Sequence, residues 1–301
     1  QEKSTITAWL RQATAQLKDA GVDSARLDAE LLLAQTLRKS RTYLHTHLEE
    51  EIDPRRLDIA AARLSLRLDR VPLAYILGVK EFYGRQFVVS PDVLIPRPES
   101  EAMVSLLLEL TAGEIAPRTL IDVGTGSGCL GITIALERPN FRVILSDSSP
   151  QALRIAQKNA ALLQASHGEV HLDISFVRQS LLSKQLEPVD YIIANLPYVD
   201  RSWTDTSPEL RHEPAQALYA EEGGLRLIRQ LVGQTPRHLA PGGLLLLEAD
   251  PTQHQAIITE AAAISLRCVC RLLVFRQRER DLLLLALAQY GQRHRLTWPK
   301  L

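Results

Sequence analysis

Asp122-Val-Gly-Thr-Gly-Ser-Gly128 joins an apolar stretch typical of a buried strand, 119–123, to a stretch with helical spacing, 130–137. The three glycines permit a tight turn and let a ligand lie against bare backbone. The helix beyond them offers free N–H groups and positive potential, which suit an anion such as a carboxylate. Because glycine loses much entropy on folding, three in five residues indicate a binding loop. The expected ligand-binding residues are Asp122, Gly124, Thr125, Gly126, Ser127 and Gly128.

Strands and helices alternate on both sides of this loop. The pattern predicts strands at 119–123, 142–146, 170–177, 191–194 and 244–248, and helices at 99–110, 130–137, from Pro150, at 225–239 and at 252–263. Such alternation is typical of a mostly parallel sheet covered on both faces. Two final strand-like runs, 266–275 and 281–287, flank a charged turn and predict an antiparallel hairpin. The fold class is therefore α/β, with a Rossmann-like sheet in a domain spanning 98–301.

The first 78 residues have a different character. Apolar residues recur there at helical spacing, and Asp53-Pro54 is a helix N-cap followed by proline at the first helical position. A small all-α bundle is expected. Residues 79–97 then contain a predicted hairpin around Gly84 and a proline-bearing extended stretch, and we interpret them as a linker between two domains.

Asp147 ends the second predicted strand of the alternating region, 21 residues after Gly126. A carboxylate at this position can accept hydrogen bonds from the two hydroxyls of a ribose. The alternative is a helix cap, since Pro150 follows closely. The glycine loop and Asp147 together do not separate a methyltransferase from a dehydrogenase, because Gly126-x-Gly128-x-x-Gly131 also satisfies the dinucleotide fingerprint.

Asn195-Leu-Pro-Tyr198 directly follows the predicted strand 191–194, at the end of a strand where open α/β sheets bind ligands. The side-chain oxygen of Asn195 and the carbonyl of Leu196 can accept the two hydrogens of an –NH2 group. Tyr198 can stack on a planar amide or base, and Pro197 restricts the backbone. Hydride transfer does not explain this tetrapeptide, so the sequence favours methylation of a planar nitrogen, with Asn195, Leu196, Pro197 and Tyr198 as catalytic candidates.

At these residues the sequence resembles class I methyltransferases, and among them the HemK/PrmC family of release factor glutamine methyltransferases. The similarity covers nearly the whole chain. The matching stretches are Asp122 to Gly128, Asn195 to Tyr198, Tyr75-Ile-Leu-Gly, Phe82-Tyr-Gly, Val93-Leu-Ile-Pro-Arg-Pro-Glu-Ser-Glu101, Arg211-His-Glu-Pro214, Ala217-Leu218 and Gly223-Gly-Leu225. Two departures stand out: Leu196 replaces the family's usual first proline, and Gln179-Ser-Leu-Leu182 lies where an acidic residue is common.

The resemblance implies S-adenosyl-L-methionine as cofactor, with Asp122 to Gly128, Asp147 and Asn195 binding it. It implies methylation of the glutamine in the Gly-Gly-Gln loop of class I peptide release factors, in translation termination. It also implies that the helical domain, 1–78, docks that protein. Three alternatives stay open: a glutamine methyltransferase acting on a ribosomal protein, an adenine or cytosine amino methyltransferase acting on nucleic acid, and a non-catalytic nucleotide-binding protein.

The charge, the cysteine spacing and the apolar runs of the chain limit which binding partners are expected. Lys+Arg and Asp+Glu are equal at 35 each, and the zero net charge lowers the expectation of direct nucleic-acid binding. Cys129, Cys268 and Cys270 lack the spacing of a metal site, so no metal is expected. The longest apolar runs are too short to span a bilayer, and no signal segment is evident, so a cytoplasmic protein without membrane contact is expected.

Overall fold

The computed structural model describes residues 4–168, 171–185, 187–203, 207–274 and 282–289. The chain divides into two compact units. One comprises Gln1–Val79 together with Ser207–His212, and the other comprises Lys80–Thr206 together with Glu213–Leu301.

The first unit is the predicted all-α bundle. Its helices are α1 Ile6–Asp19, α2 Ala25–Leu37, α3 Arg41–Thr46, α4 Pro54–Leu68 and α5 Leu73–Leu77. The Asp53 side chain accepts hydrogen bonds from the first backbone N–H groups of α4, as expected of an N-cap. Ile6, Leu17, Leu32, Leu33 and Leu44 are fully buried and form the core of the bundle.

A short 3-10 helix, Pro208–His212, belongs to the same unit although it lies far along the chain. Glu209 accepts ionic hydrogen bonds from Arg67 at 3.1 Å and from Arg70 at 2.7 Å. Burial opposes ionisation of Glu209, but hydrogen bonds from Ser207, Arg70 and Arg67 outweigh it and lower its pKa to about 2. Arg67 also contacts the buried Asp28 at 2.6 Å. These charge-assisted bonds fix the segment on the bundle.

The hairpin predicted around Gly84 is formed by β1 Val79–Phe82 and β2 Arg85–Val88. Its two turn residues, Tyr83 and Gly84, have φ values of 51° and 70°. Positive φ at both positions is the geometry of a tight two-residue hairpin loop.

The second unit is built on a seven-stranded sheet, ordered β5-β4-β3-β6-β7-β9-β8. The strands are β3 Arg118–Val123, β4 Phe141–Asp147, β5 Ile174–Arg178, β6 Val189–Ala194, β7 Leu239–Ala249, β8 Leu266–Val274 and β9 Leu282–Gln289. Strands β3 to β7 pair in parallel, and β9 pairs antiparallel with β7 and β8. This confirms the Rossmann-like sheet with a C-terminal antiparallel hairpin. The charged turn between the last two strands lies outside the described residues.

Helices cover both faces of the sheet. They are α6 Glu101–Leu110, α7 Cys129–Glu137, α8 Pro150–Ser166, α9 Ala215–Leu218, α10 Arg226–His238 and α11 His254–Ala263. The alternation of side chains along β3 shows the layering, because Leu120 packs into one apolar cluster and Ile121 into the other. The first cluster contains residues of α6, α7 and α8, and the second contains residues of α10 and α11.

Two predicted strand boundaries were wrong. Strand β5 begins at Ile174, so the predicted stretch 171–173 is not part of it, and the backbone N–H of Leu172 instead donates to the Gln164 side chain at 2.8 Å. The predicted first residue, 170, lies outside the described residues. Strand β7 begins at Leu239, five residues before the predicted start, because its pairing with β6 continues past a register shift near Val189.

Within the described ranges, the helices are too short or too polar to cross a membrane.

Candidate active site

A cavity in the second unit lies where the loops after β3, β4, β5 and β6 meet. It is lined by most of the residues that the sequence analysis selected: Gly124, Thr125, Gly126, Ser127, Asp147, Asn195, Leu196 and Pro197. Asp122, Gly128 and Tyr198 are not among the residues that line it. The parallel sheet explains this convergence, since the carboxyl ends of its strands share one edge.

The glycine loop has a conformation that only glycine adopts easily. Gly124, Gly126 and Gly128 have φ values of 73°, 55° and 83°. The buried Asp122 stabilises the loop. One of its carboxylate oxygens accepts hydrogen bonds from Thr125 Oγ1 at 2.6 Å and from the Gly131 N–H at 3.0 Å. Burial, more than the neighbouring charge of Asp147, raises the pKa of Asp122 to about 6.

Asp147 ends β4 at the cavity. Its Oδ2 accepts a hydrogen bond from the Gly126 N–H at 3.0 Å, and its Oδ1 accepts one from the Ser149 N–H at 2.8 Å. The N-cap of α8 is Ser149, whose hydroxyl accepts from the Ala152 N–H at 3.2 Å. Burial raises the pKa of Asp147. Asp147 is therefore not the cap residue itself, and it lines the cavity beside the glycine loop.

Asn195 lies one residue beyond β6 and is tied to two buried residues from distant parts of the chain. Its Nδ2 donates to Ser100 Oγ at 3.0 Å, and Ser100 Oγ donates to Glu248 Oε2 at 2.6 Å. Tyr198 OH donates to the other oxygen of the same carboxylate at 3.3 Å. Glu248 thus connects both ends of the Asn195–Tyr198 tetrapeptide.

The middle and end of the tetrapeptide are also held by close packing. The buried side chain of Leu196 lies against the glycine loop, where a Cβ added to Gly124 would come within 3.0 Å of it. The carbonyl of Tyr198 accepts a hydrogen bond from Gln253 Nε2 at 2.7 Å. A Cβ on Gly224 would lie only 1.9 Å from that same carbonyl oxygen, so this position leaves room for glycine alone.

Two further walls of the cavity come from segments to which the sequence analysis gave no role at this site. Residues 92–97 line one side, and Gln179, Ser180 and Leu181 line another. Glu213 fixes the first wall, because its buried carboxylate accepts from Arg97 at 2.6 Å and from the Ile95 N–H at 3.1 Å. The departure from the family pattern at Gln179 therefore falls on the cavity itself.

The sequence analysis missed Ser100, Glu213, Gly224, Glu248 and Gln253 as parts of this site. One of them carried a visible signal, since Glu248 is a charged residue at the end of the fully apolar run 244–247. A buried charge in such a place needs hydrogen-bonding partners. Among the described residues, no group of three or more His, Cys, Asp or Glu side chains could hold a metal ion.

Comparison with known proteins matches two family models to the chain. The PrmC N-terminal domain matches residues 8–78, and the methyltransferase small domain matches residues 100–241. In fold, the chain resembles the hMettl16 catalytic domain in complex with MAT2A 3′UTR hairpin 6. That similarity has a TM-score of 0.54 at 16% identity, and covers 77% of this chain and 82% of that one.

Two curated relatives align with this chain over most of their own length. The release factor glutamine methyltransferase of Koribacter versatilis is 42% identical over 260 residues, which is 82% of this chain and 89% of the relative. The enzyme of the same name from Deinococcus radiodurans is 41% identical over 254 residues, covering 83% and 88%. The chain therefore belongs to the family of release factor glutamine methyltransferases.

Proposed function

We propose that this protein transfers a methyl group from S-adenosyl-L-methionine to the side-chain amide nitrogen of the glutamine in the Gly-Gly-Gln loop of class I peptide release factors, in the cytoplasm. The names of the relatives support the substrate class. The observation that carries the chemistry is the arrangement of Asn195, whose Nδ2 is bound to Ser100 inside the protein. The amide oxygen of Asn195 is then the atom available to an acceptor in the cavity.

The residues present fit the cofactor. The positive φ values of the glycine loop bring bare backbone to the cavity, and the start of α7 supplies the positive potential that a carboxylate needs. Asp147 has both oxygens in use by backbone N–H groups, yet each carboxylate oxygen has a second lone pair for a ribose hydroxyl. When bound, the cofactor supplies a methyl group activated on a sulfonium sulfur.

The acceptor nitrogen is positioned by two oxygens of the tetrapeptide. Asn195 Oδ1 accepts one hydrogen of the glutamine –NH2 group, and the Leu196 carbonyl accepts the other. Asn195 and Leu196 both line the cavity that also contains the glycine loop. An amide nitrogen is a poor nucleophile because its lone pair is delocalised, so fixed orientation matters most and is worth up to about 7–11 kcal/mol. The mechanism needs no strong base, because after methyl transfer the nitrogen carries positive charge and is acidic enough to give its proton to water.

Tyr198 and Pro197 shape this acceptor position. Pro197 lines the cavity and limits the backbone that presents the Leu196 carbonyl. The Tyr198 ring is fixed by the hydrogen bond of its hydroxyl to Glu248. We place the planar amide of the glutamine beside this ring.

The helical unit is proposed to dock the body of the release factor. It has a hydrophobic core of its own, and residues 8–78 match the PrmC N-terminal domain.

The test is incubation of the protein with methyl-labelled S-adenosyl-L-methionine and, separately, a class I release factor, ribosomal proteins, and RNA. Mass spectrometry then locates the label. We expect one methyl group on the glutamine of the Gly-Gly-Gln loop, and its absence from a release factor in which that glutamine is replaced by alanine. Labelling of a ribosomal-protein glutamine or of a nucleic-acid amino group instead would overturn the proposed acceptor.

A further inference from the structure

We propose that Glu248 and Ser100 are positioning residues for the side-chain amide of Asn195. They determine that its carbonyl oxygen, and not its –NH2 group, points into the cavity. The inference rests on the proposed function, in which Asn195 Oδ1 binds the acceptor –NH2 group. Ser100 lines the cavity and Glu248 lies behind it, and in this proposal both act through Asn195.

Two consecutive hydrogen bonds link Asn195 through Ser100 to Glu248, and we call this chain the relay. Asn195 Nδ2 donates to Ser100 Oγ at 3.0 Å, and Ser100 Oγ donates to Glu248 Oε2 at 2.6 Å. Ser100 is 2% exposed and Glu248 is 1% exposed, so bulk water does not compete for either bond. In such surroundings a hydrogen bond to a carboxylate is stronger than one between neutral groups.

Counting hydrogens shows why the carboxylate decides the orientation. A serine hydroxyl has one hydrogen, and a carboxylate can only accept. The hydrogen of Ser100 is therefore directed to Glu248, and Ser100 Oγ can only accept from Asn195. The group of Asn195 that faces Ser100 must then be its –NH2, which leaves the carbonyl oxygen on the cavity side. With the opposite orientation, two oxygens without a hydrogen between them would face each other.

A glutamine at position 248 would remove this constraint without removing volume. Its side-chain –NH2 can donate to Ser100 Oγ, which frees the Ser100 hydrogen for the oxygen of Asn195. The Asn195 amide can then turn over and present –NH2 toward the acceptor –NH2. Two donors facing each other cannot bind, so the acceptor loses one of its two contacts although the fold is retained.

Two measurements on the full-length protein test the relay. The first is single-turnover methyl transfer to the release factor, with the affinity for S-adenosyl-L-methionine measured in parallel. For Glu248→Gln and Ser100→Ala we expect a rate loss on the order of 100-fold, the size of effect that misplacement of a reacting group produces. Cofactor affinity should stay near that of the wild type. Ser100→Thr keeps the hydroxyl and should restore most of the rate.

A double-mutant cycle separates positioning from a general structural role. In an Asn195→Ala background, Glu248→Gln should cost little more, because the residue through which it acts is already gone. Glu137→Gln is the matched control, since Glu137 pairs with Arg85 and lies outside the cavity. It should leave the rate and the cofactor affinity unchanged. Equal losses from Glu248→Gln in the two backgrounds would overturn the relay.

The second measurement is independent of activity. The side-chain –NH2 resonances of Asn195 in the 1H–15N spectrum are assigned by their loss in Asn195→Ala. In the wild type we expect their exchange with solvent to be slowed, and in Glu248→Gln we expect this protection to fall. Unchanged Asn195 resonances in Glu248→Gln refute the relay whatever the acceptor is. If instead the wild type fails to methylate the release factor while the resonances respond as expected, the proposed function fails and the relay stands.

Discussion

The backbone N–H of Gly126 donates a hydrogen bond of 3.0 Å to Oδ2 of Asp147, and so links the glycine loop after β3 to the carboxylate at the end of β4. The two residues are 21 positions apart in sequence. This bond holds two of the proposed cofactor-binding elements in register. Asp147 therefore supports the loop in addition to its proposed role of binding the ribose of the cofactor.

Removal of the Asp147 carboxylate is expected to weaken cofactor binding. In Asp147→Ala the hydrogen bonds from the ribose hydroxyls are lost, which costs about 1.5–3 kcal/mol for a charged acceptor. This corresponds to a roughly 10- to 150-fold loss of affinity for S-adenosyl-L-methionine by calorimetric titration. Asp173→Ala is the control, because it removes an exposed carboxylate just before β5, at the strand end remote from the cavity. Unchanged affinity in Asp147→Ala would exclude the residue from the cofactor site.

Asn195→Ala is expected to abolish most methyl transfer and to affect cofactor binding only mildly. One of the two acceptors of the glutamine –NH2 group is lost, and a small misplacement of the nitrogen can cost about 100-fold in rate. The measurement is single-turnover transfer to a release factor. Near-normal transfer would contradict the two-oxygen clamp and reopen the identity of the acceptor.

Leu196→Pro is expected to be tolerated. The substitution keeps the carbonyl that we propose as the second acceptor. It removes an N–H for which the described residues provide no hydrogen-bond partner, so no hydrogen bond to these residues is lost. The same transfer assay, run beside Asn195→Ala, checks this. A loss as large as that of Asn195→Ala would show that the Leu196 side chain, packed on Gly124, is itself required.

Gly224→Ala is expected to displace the end of the tetrapeptide. Its Cβ would lie 1.9 Å from the Tyr198 carbonyl oxygen, and the φ of +81° at this position also disfavours alanine. The transfer rate and the melting temperature should both fall. Gly233→Ala in α10 is the control, because nothing lies within 4 Å of its added Cβ and the residue is helical. If both variants behave alike, the close approach at Gly224 is not important.

The pKa of Asp122 predicts a specific dependence of stability on pH. Burial raises this pKa from 3.8 to about 6, so between these values the folded protein binds more protons than the unfolded chain. The stabilising effect is present below pH 3.8 and is lost as the pH rises through 6, by up to about 3 kcal/mol. The free energy of unfolding of the wild type should therefore fall relative to that of Asp122→Asn over this range. Parallel urea titrations at pH 4 and pH 7 measure the difference, and equal changes in both proteins would contradict it.

Deletion of residues 1–78 is expected to impair methylation of an intact release factor and to spare cofactor binding. The cavity is lined by residues of the second unit, whereas the proposed docking surface is on the helical unit. The deletion also removes the arginine partners of Glu209, so circular dichroism and cofactor titration must first show that the remainder is folded. A short Gly-Gly-Gln peptide serves as control acceptor and should lose less rate than the whole protein. Full-rate methylation of the intact release factor would refute the docking role.

The pattern of apolar, polar and glycine residues was enough to predict the class of fold and the places where chemistry is expected. Strand and helix periodicity required the parallel sheet, and a parallel sheet brings the ends of its strands to one edge. This is why residues as far apart as Gly124 and Asn195 could be expected at one cavity, and both line it. The C-terminal hairpin was predictable for the same local reason, although the boundaries of β5 and β7 were not, because pairing partners set where a strand ends.

The residues that lie behind the Asn195–Tyr198 tetrapeptide could not be predicted from the sequence pattern. Ser100 and Glu248 are separated by 148 positions, and no local pattern relates them to each other or to Asn195. Likewise, the attachment of Pro208–His212 to the helical unit depends on ion pairs between Glu209 and arginines about 140 residues earlier. Periodicity reports which face of an element is buried, whereas a hydrogen bond depends on angstrom-scale distances between side chains that packing alone brings together.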